Sequence, residues 1–413
     1  MKKLFLLFSA FSTIYFLKAT EITDTVSMGA NYANQVWYSL PNNEAGNASI
    51  NDWDIAFQIQ GISSSIIANG AKSNLKIYQS PFSVADWALV DTVDIGAWSE
   101  LYNSDTSWDL GALNTYPDDN TDLGWGVYNM NTHTIAGDSV YVIQLSNGTW
   151  KKFKIDQLSS GKYYFSWANL DGTNAQSDSI KKSDYSGKNF AYFSIENKQE
   201  LNREPISADW DLTFTKYTTI IYAPQATPYG VTGVLQNTGT NVVKAYPVDV
   251  NTQTHNGYSF ETPINIIGYD WKKYDMNSSS YLIADSTIYF IQRKNGDIWK
   301  VIFTGFGGAA NGNFIFTKEL VYTQTTGISE TEKINSVNVY PNPSNGQLNL
   351  IYTSNRVENS TLRIFNLTGK VVYKKELVSQ SGINQESILM SDLQKGIYFL
   401  SLNNSKAIKL IVE

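Results

Sequence analysis

Few residues in this 413-residue chain are of types that do chemistry. It has two histidines, His133 and His255, and no cysteine. The missing cysteines exclude disulfides, thiolate metal sites, cysteine nucleophiles and iron–sulfur clusters, and also a lipid-bearing cysteine. Neutral imidazole is the commonest metal ligand and a ready general base. His133 in NMNTHTI and His255 in NTQTHNGY are therefore the first ligand candidates, with the thioether of nearby Met130 a third. Met276 repeats Met130 in a second copy of the stretch, and that repetition points to core packing, where Met fills gaps.

Aromatic rings are the second resource, with 11 Trp and 26 Tyr. Trp98, Trp108 and Tyr116 lie in WSELYNSDTSWDLGALNTYPDD, a loop-like stretch without a recognisable second copy. Loops on a rigid scaffold often carry binding residues, so these three are candidates for a platform under a planar ligand or a sugar. Asp118, Asp119, Asn120 and Asp122 are clustered, but they lack the glycine and terminal glutamate of an EF-hand. That cluster reads as a solvated turn, and no metal site is assigned. There is no G-x-S-x-G, H-E-x-x-H or P-loop, so the expectation is a protein that is not an enzyme. Asp54 and Asp211 recur inside a strand motif, which suits a structural hydrogen bond better than a carboxylate pair for glycoside hydrolysis.

These residues need a scaffold, and composition predicts an all-β one. Charged residues are 17% and aromatics 14%, with no long helix-period runs. The net charge of −7 leaves no electrostatic footprint for nucleic acid. WGVYNMNTHTIAGDSVYVIQLSNGTWK (125–151) is echoed by WKKYDMNSSSYLIADSTIYFIQRKNGDIWK (271–300), and WDIAF (53–57) by WDLTF (210–214). Asn147-Gly148 and Asn295-Gly296 mark hairpins in both copies. Two antiparallel β units are expected, at 26–197 and 204–322, the second a degenerate repeat. The second copy keeps the aromatic frame and loses His133.

Residues 1–19 have the grammar of a signal peptide: Lys2 and Lys3, an apolar run, then Ala19. No other segment is apolar enough to span a bilayer as a helix, so no transmembrane segment is expected in the mature chain. A polar linker at 323–336 precedes a compact alternating block at 337–413, expected to be a small Ig-like β-sandwich. That block carries VYPNP (339–343), LRIFNLTGKVV (362–372) and LQKGIYFLSL (393–402), with Lys406 and Lys409 near its end. In these motifs it resembles the type A C-terminal sorting domain of the Bacteroidetes type IX secretion system. The resemblance implies export through Sec, then outer-membrane translocation by the type IX machinery, which would engage 337–413. The protein would end at the cell surface or be released.

The two middle units resemble the HmuY-like family of secreted or surface β-proteins. The resemblance rests on WDIAF and WDLTF, on Trp125, Tyr128 and Thr132 to Ile135, on Lys152 and Ile155, and on YYFSWANLDG (163–172). It implies a ligand-binding protein with haem or a related tetrapyrrole as ligand, His133, Met130 and His255 being the axial candidates. The alternative is an adhesin or glycan-binding protein that keeps the scaffold without haem.

Overall fold

The computed structural model describes residues 20–61, 63–117, 121–222, 224–324, 334–354, 357–367, 369–390, 393–403 and 407–413. It divides into two compact units, Met1–Gln324 and Thr325–Glu413. As the composition predicts, the chain is nearly all β, and the longest helical element among the described residues has 6 residues. Residues 1–19, Asp118, Asp119, Asn120, Lys406 and most of the expected linker lie outside the described residues.

The first unit opens with β1 (Ile22–Ser27), β2 (Asn34–Ser39) and β3 (Asn43–Ser49). Next come β4 (Ile55–Gln58), β5 (Ile66–Ala68), β6 (Lys76–Ser83) and the hairpin β7 (Gly126–Asn129) and β8 (Thr134–Gly137). A meander follows, through β9 (Ser139–Gln144), β10 (Trp150–Ser159), β11 (Lys162–Asn169) and β12 (Gln176–Lys181), then β13 (Phe190–Ser194) and β14 (Gln199–Leu201). The second half has β15 (Leu212–Tyr222), β16 (Ala226–Gln236), β17 (Asn241–Ala245) and the hairpin β18 (Lys272–Asp275) and β19 (Ser280–Ile283). It ends with β20 (Ile288–Gln292), β21 (Ile298–Phe306) and β22 (Asn313–Tyr322).

These strands build two lobes of matching topology. In the first, a sheet ordered β14-β13-β4-β5 faces a larger one in which β6, β9, β10, β11 and β12 are successive neighbours. In the second, β3-β2-β15-β16 faces β17-β20-β21-β22-β1. Strand for strand, β15 to β22 repeat β4 to β11, and β1, β2 and β3 repeat β12, β13 and β14. The second lobe is thus a permuted copy, completed by the start of the chain. Here the structure corrects the sequence boundary. Residues 26–49, assigned to the first unit, pair with the second: Ile22 to Ser27 run against Lys318 to Asn313, and Val36 to Tyr38 against Phe214 to Leu212.

The repeated motifs explain this architecture. Trp125 and Trp271 are fully buried, each in the core of its own lobe. The Asn-Gly pairs close three-residue loops rather than two-residue ones, with Leu145 N–H bonding to Thr149 O at 2.9 Å and Arg293 N–H to Asp297 O at 2.9 Å. Gly148 and Gly296 take the left-handed φ (83° and 87°) that this loop needs. Asp54 and Asp211 are structural. Each accepts a backbone N–H from the turn that follows the neighbouring strand, Glu196 after β13 at 3.0 Å and Leu40 after β2 at 2.8 Å. Each also pairs with a cation, Lys72 at 2.6 Å and Arg293 at 2.8 Å.

The second unit is a two-sheet sandwich. Its strands are β23 (Ile334–Tyr340), β24 (Gln347–Ser354), β25 (Glu358–Phe365), β26 (Val371–Ser379), β27 (Gly382–Leu389), β28 (Gly396–Leu402) and β29 (Ile408–Val412). The sheets run β23-β24-β27 and β26-β25-β28-β29. They share one core, with Leu348, Leu350 and Ile388 from one and Leu362, Ile364, Leu400 and Leu410 from the other.

Candidate functional site

The sequence candidates do not converge. His133 holds a left-handed φ of 54° in the β7–β8 turn, where its Nδ1 meets the Tyr128 hydroxyl at 2.8 Å. Met130 on the same turn is 73% exposed and Met276 on the equivalent β18–β19 turn is 86% exposed, so the core-packing reading of this pair is overturned. An apolar side chain at a hairpin tip has nothing to pack against. His255 lies elsewhere, its ring against Phe290 (6.1 Å) and Tyr322 (5.7 Å) in the second lobe. No hydrogen bond or ring contact joins the two histidines among the described residues. The β7–β8 turn carries one imidazole, His133, and one exposed thioether, Met130.

The three aromatic candidates also separate. Trp98 packs against the cluster of Val90, Val140 and Val142 on the first lobe, and Tyr116 is half exposed. Trp108 lines the cleft described below, and Trp98 and Tyr116 do not. The Trp108 Nε1 donates to Gln236 O of the second lobe at 2.9 Å, and its ring meets Phe190 edge-on at 5.9 Å. The stretch without a second copy is therefore a strap between lobes. Ile264 N–H bonds to Thr106 O at 3.0 Å, and the Thr219 hydroxyl donates to Asp105. Asn103 anchors the strap to the first lobe by pairing with both backbone groups of Ala68, at 2.9 and 2.7 Å, as a neighbouring strand would.

Beneath the strap lies a cleft of about 320 Å³ between the two small sheets. Trp53, Trp108, Tyr192 and Tyr217 supply ring faces or edges, and Ser104, Ser107, Asp105, Thr215, Lys216 and Thr218 supply polar atoms. Arg203 packs against the lining residues Trp53 and Tyr192. Its guanidinium lies 5.2 Å from the Trp37 ring, 5.8 Å from Trp53 and 5.0 Å from Tyr192. It also donates to Gln35 Oε1 at 2.8 Å and Ser49 O at 2.6 Å, and lies 3.2 Å from Asp52. Below Tyr192 is Glu204, which accepts the Tyr192 hydroxyl at 2.7 Å and the Asn189 N–H at 2.9 Å. Burial pushes this carboxyl up to about 7 despite those bonds.

Sequence reasoning missed Arg203 and Glu204 because neither stands in a repeated or family-like motif. A weak signal did exist for the cleft's frame. Asn69 in IANGAK and Asn237 in LQNTGT each donate their side-chain amide to two carbonyls, those of Ile50 and Trp53 (2.7 and 2.9 Å) and of Ser207 and Trp210 (2.7 and 2.7 Å).

In the C-terminal sandwich, the asparagine of the VYPNP motif ties the first strand's end to the last strand. Asn342 Nδ2 donates to Lys409 O at 2.8 Å, and Ile411 N–H returns to Asn342 Oδ1 at 2.9 Å. Residues 338–413 match the secretion system C-terminal sorting domain. The sorting domain marks the chain for export by type IX secretion, to the cell surface or beyond it. The chain is also similar to the dimeric latent PorU of Porphyromonas gingivalis, at 10% identity and a TM-score of 0.18 over 94% of this chain and 34% of that one. It therefore spans about a third of that protein's length. No curated protein matches the chain.

Proposed function

We propose that this is an exported binding protein rather than an enzyme, and that its ligand seat is the cleft between the lobes. Export would begin at the N-terminal segment through Sec and finish through the sorting domain. The observation that carries the binding reading is the cleft's lining, which combines aromatic residues with Ser, Thr, Asp and Lys. Rings stack on the apolar faces of sugars while hydroxyl and carboxylate groups bond to their hydroxyls, so a glycan is the best-supported ligand. The test uses the full purified chain on a glycan array, then titration of the retained glycans. Gly230 lines the cleft, and a Cβ built there meets nothing within 4 Å. Gly230→Trp should weaken binding by about tenfold or more with an unchanged unfolding midpoint. Retention of no glycan would sink this reading, and equal binding by the variant would move the seat elsewhere.

A second reading keeps the HmuY-like resemblance and its haem. It is favoured by the Tyr128 hydroxyl at 2.8 Å from His133 Nδ1, a partner that orients the ring and leaves Nε2 for an iron. Haemin added to the full chain should then give a Soret shift that His133→Ala removes. A spectrum without a shift ends the haem reading, and a shift that persists in the variant ends the role of His133.

A further inference from the structure

One face of the sorting domain's β26-β25-β28-β29 sheet is core and the other is open. Along β28, Tyr398, Leu400 and Leu402 point inward, so Ile397 and Phe399 point outward, 39% and 36% exposed. The strand registers set out what surrounds them. Phe399 stands between Phe365 on β25 and Lys409 on β29, and Ile397 lies beside Ile411. Phe365 is in turn beside Val371, and Arg363 beside Lys374. The result is one contiguous apolar strip, Val371, Phe365, Phe399, Ile397 and Ile411, bordered by three cations. Glu376 also points to this face, and it is already held by Lys374 at 2.9 Å and the Thr361 hydroxyl at 2.7 Å. The other sheet has no such strip on β27, whose exposed Ile383 and Leu389 stand at opposite ends.

Contiguous exposed apolar strips with aromatic centres mark protein interfaces, while isolated apolar residues do not. A sorting domain is read by a component of the secretion machinery, which supplies the occupant. We propose that this face docks a protein of the type IX machinery, one that offers an apolar strip rimmed by carboxylates. The apolar pairs would supply affinity, and Arg363, Lys374 and Lys409 would set encounter and register.

The test expresses the full chain in a bacterium with type IX secretion and compares surface and medium with periplasm. Ile397→Thr with Phe399→Thr removes the strip's centre while keeping β propensity. Arg363→Glu with Lys409→Glu reverses two flanks. Each pair should cut the exported fraction by about tenfold or more, with an unaltered thermal unfolding curve of the purified chain. Ile383→Thr with Leu389→Thr, on the other sheet, should export like the parent. Parental export of the face variants, or an equal loss in the control pair, would overturn the assignment. So would a concentration-dependent dimer of the parent that the face variants abolish without loss of export, since the occupant would then be a second copy.

Discussion

A carboxylate away from water titrates late, and Glu204 is the clearest instance in this chain. It is buried between Tyr192 and the Asn189 backbone, with Lys188 bonded to its own carbonyl and Lys294 nearby. Its carboxyl is raised to about 7 from an ordinary value of 4.5. Below 4.5 the group is protonated in folded and unfolded chains alike, and its effect on stability is nil. As pH rises through the window up to about 7, the unfolded chain releases the proton first, and stability falls. Above that window the loss levels off at about 3 kcal/mol on the usual conversion. Glu204→Gln should flatten this part of the pH profile in urea unfolding, whereas a slope equal to the parent's would show that Glu204 does not titrate there. None of this is legible in REPIS, where Glu204 looks like one more surface acid. His133 and Met130 looked chemical because they are rare and clustered, yet they sit on an exposed turn. Rarity selects residue types, and only packing assigns them an environment.

Among elements, the hairpins and the WD strands were readable because alternation and Asn-Gly turns are local signals. The pairing partner of the WD strands was not, since β2 meets β15 across more than 170 residues of sequence. In the first lobe β11 turns directly into β12, while in the second β22 ends beside the start of β1, Lys318 facing Ile22. A circular permutant of residues 20–324 should therefore fold. It would begin at Asp52, join Gln324 to Thr20 through LDGTNA, the six residues 170–175 that join β11 to β12, and end at Asn51. Its stability should lie within about 2 kcal/mol of the unpermuted unit, because the cut falls in a surface connection. Deleting 20–51 without rejoining should cost more than about 5 kcal/mol, the scale of a domain's whole stability. Denaturant unfolding followed by tryptophan fluorescence separates these outcomes, and a truncated chain as stable as the parent would contradict the permuted assignment.

At the scale of the molecule, the duplicated lobes enclose a cleft that neither contains alone. Trp53 and Tyr192 come from one, Thr215 and Tyr217 from the other. The strap carrying Trp108 has its anchors in both. This accounts for the asymmetry of the repeat. Residues 98–116 have no second copy because a single strap suffices to bridge two lobes. The sorting domain, a separate compact unit, carries the export signal.

From sequence alone came the all-β class, the duplication, the turn positions, the structural role of Asp54 and Asp211, and the export signal at the C-terminus. Those are set by periodicity, composition and short motifs, which act over a few residues. Only the tertiary structure decided that β1 to β3 complete the second lobe, that Trp108 bridges the lobes, and that Arg203 and Glu204 contact residues lining a shared cleft. These depend on contacts between segments far apart in the chain. A strand's pattern states which face is apolar but leaves open which strand will cover it.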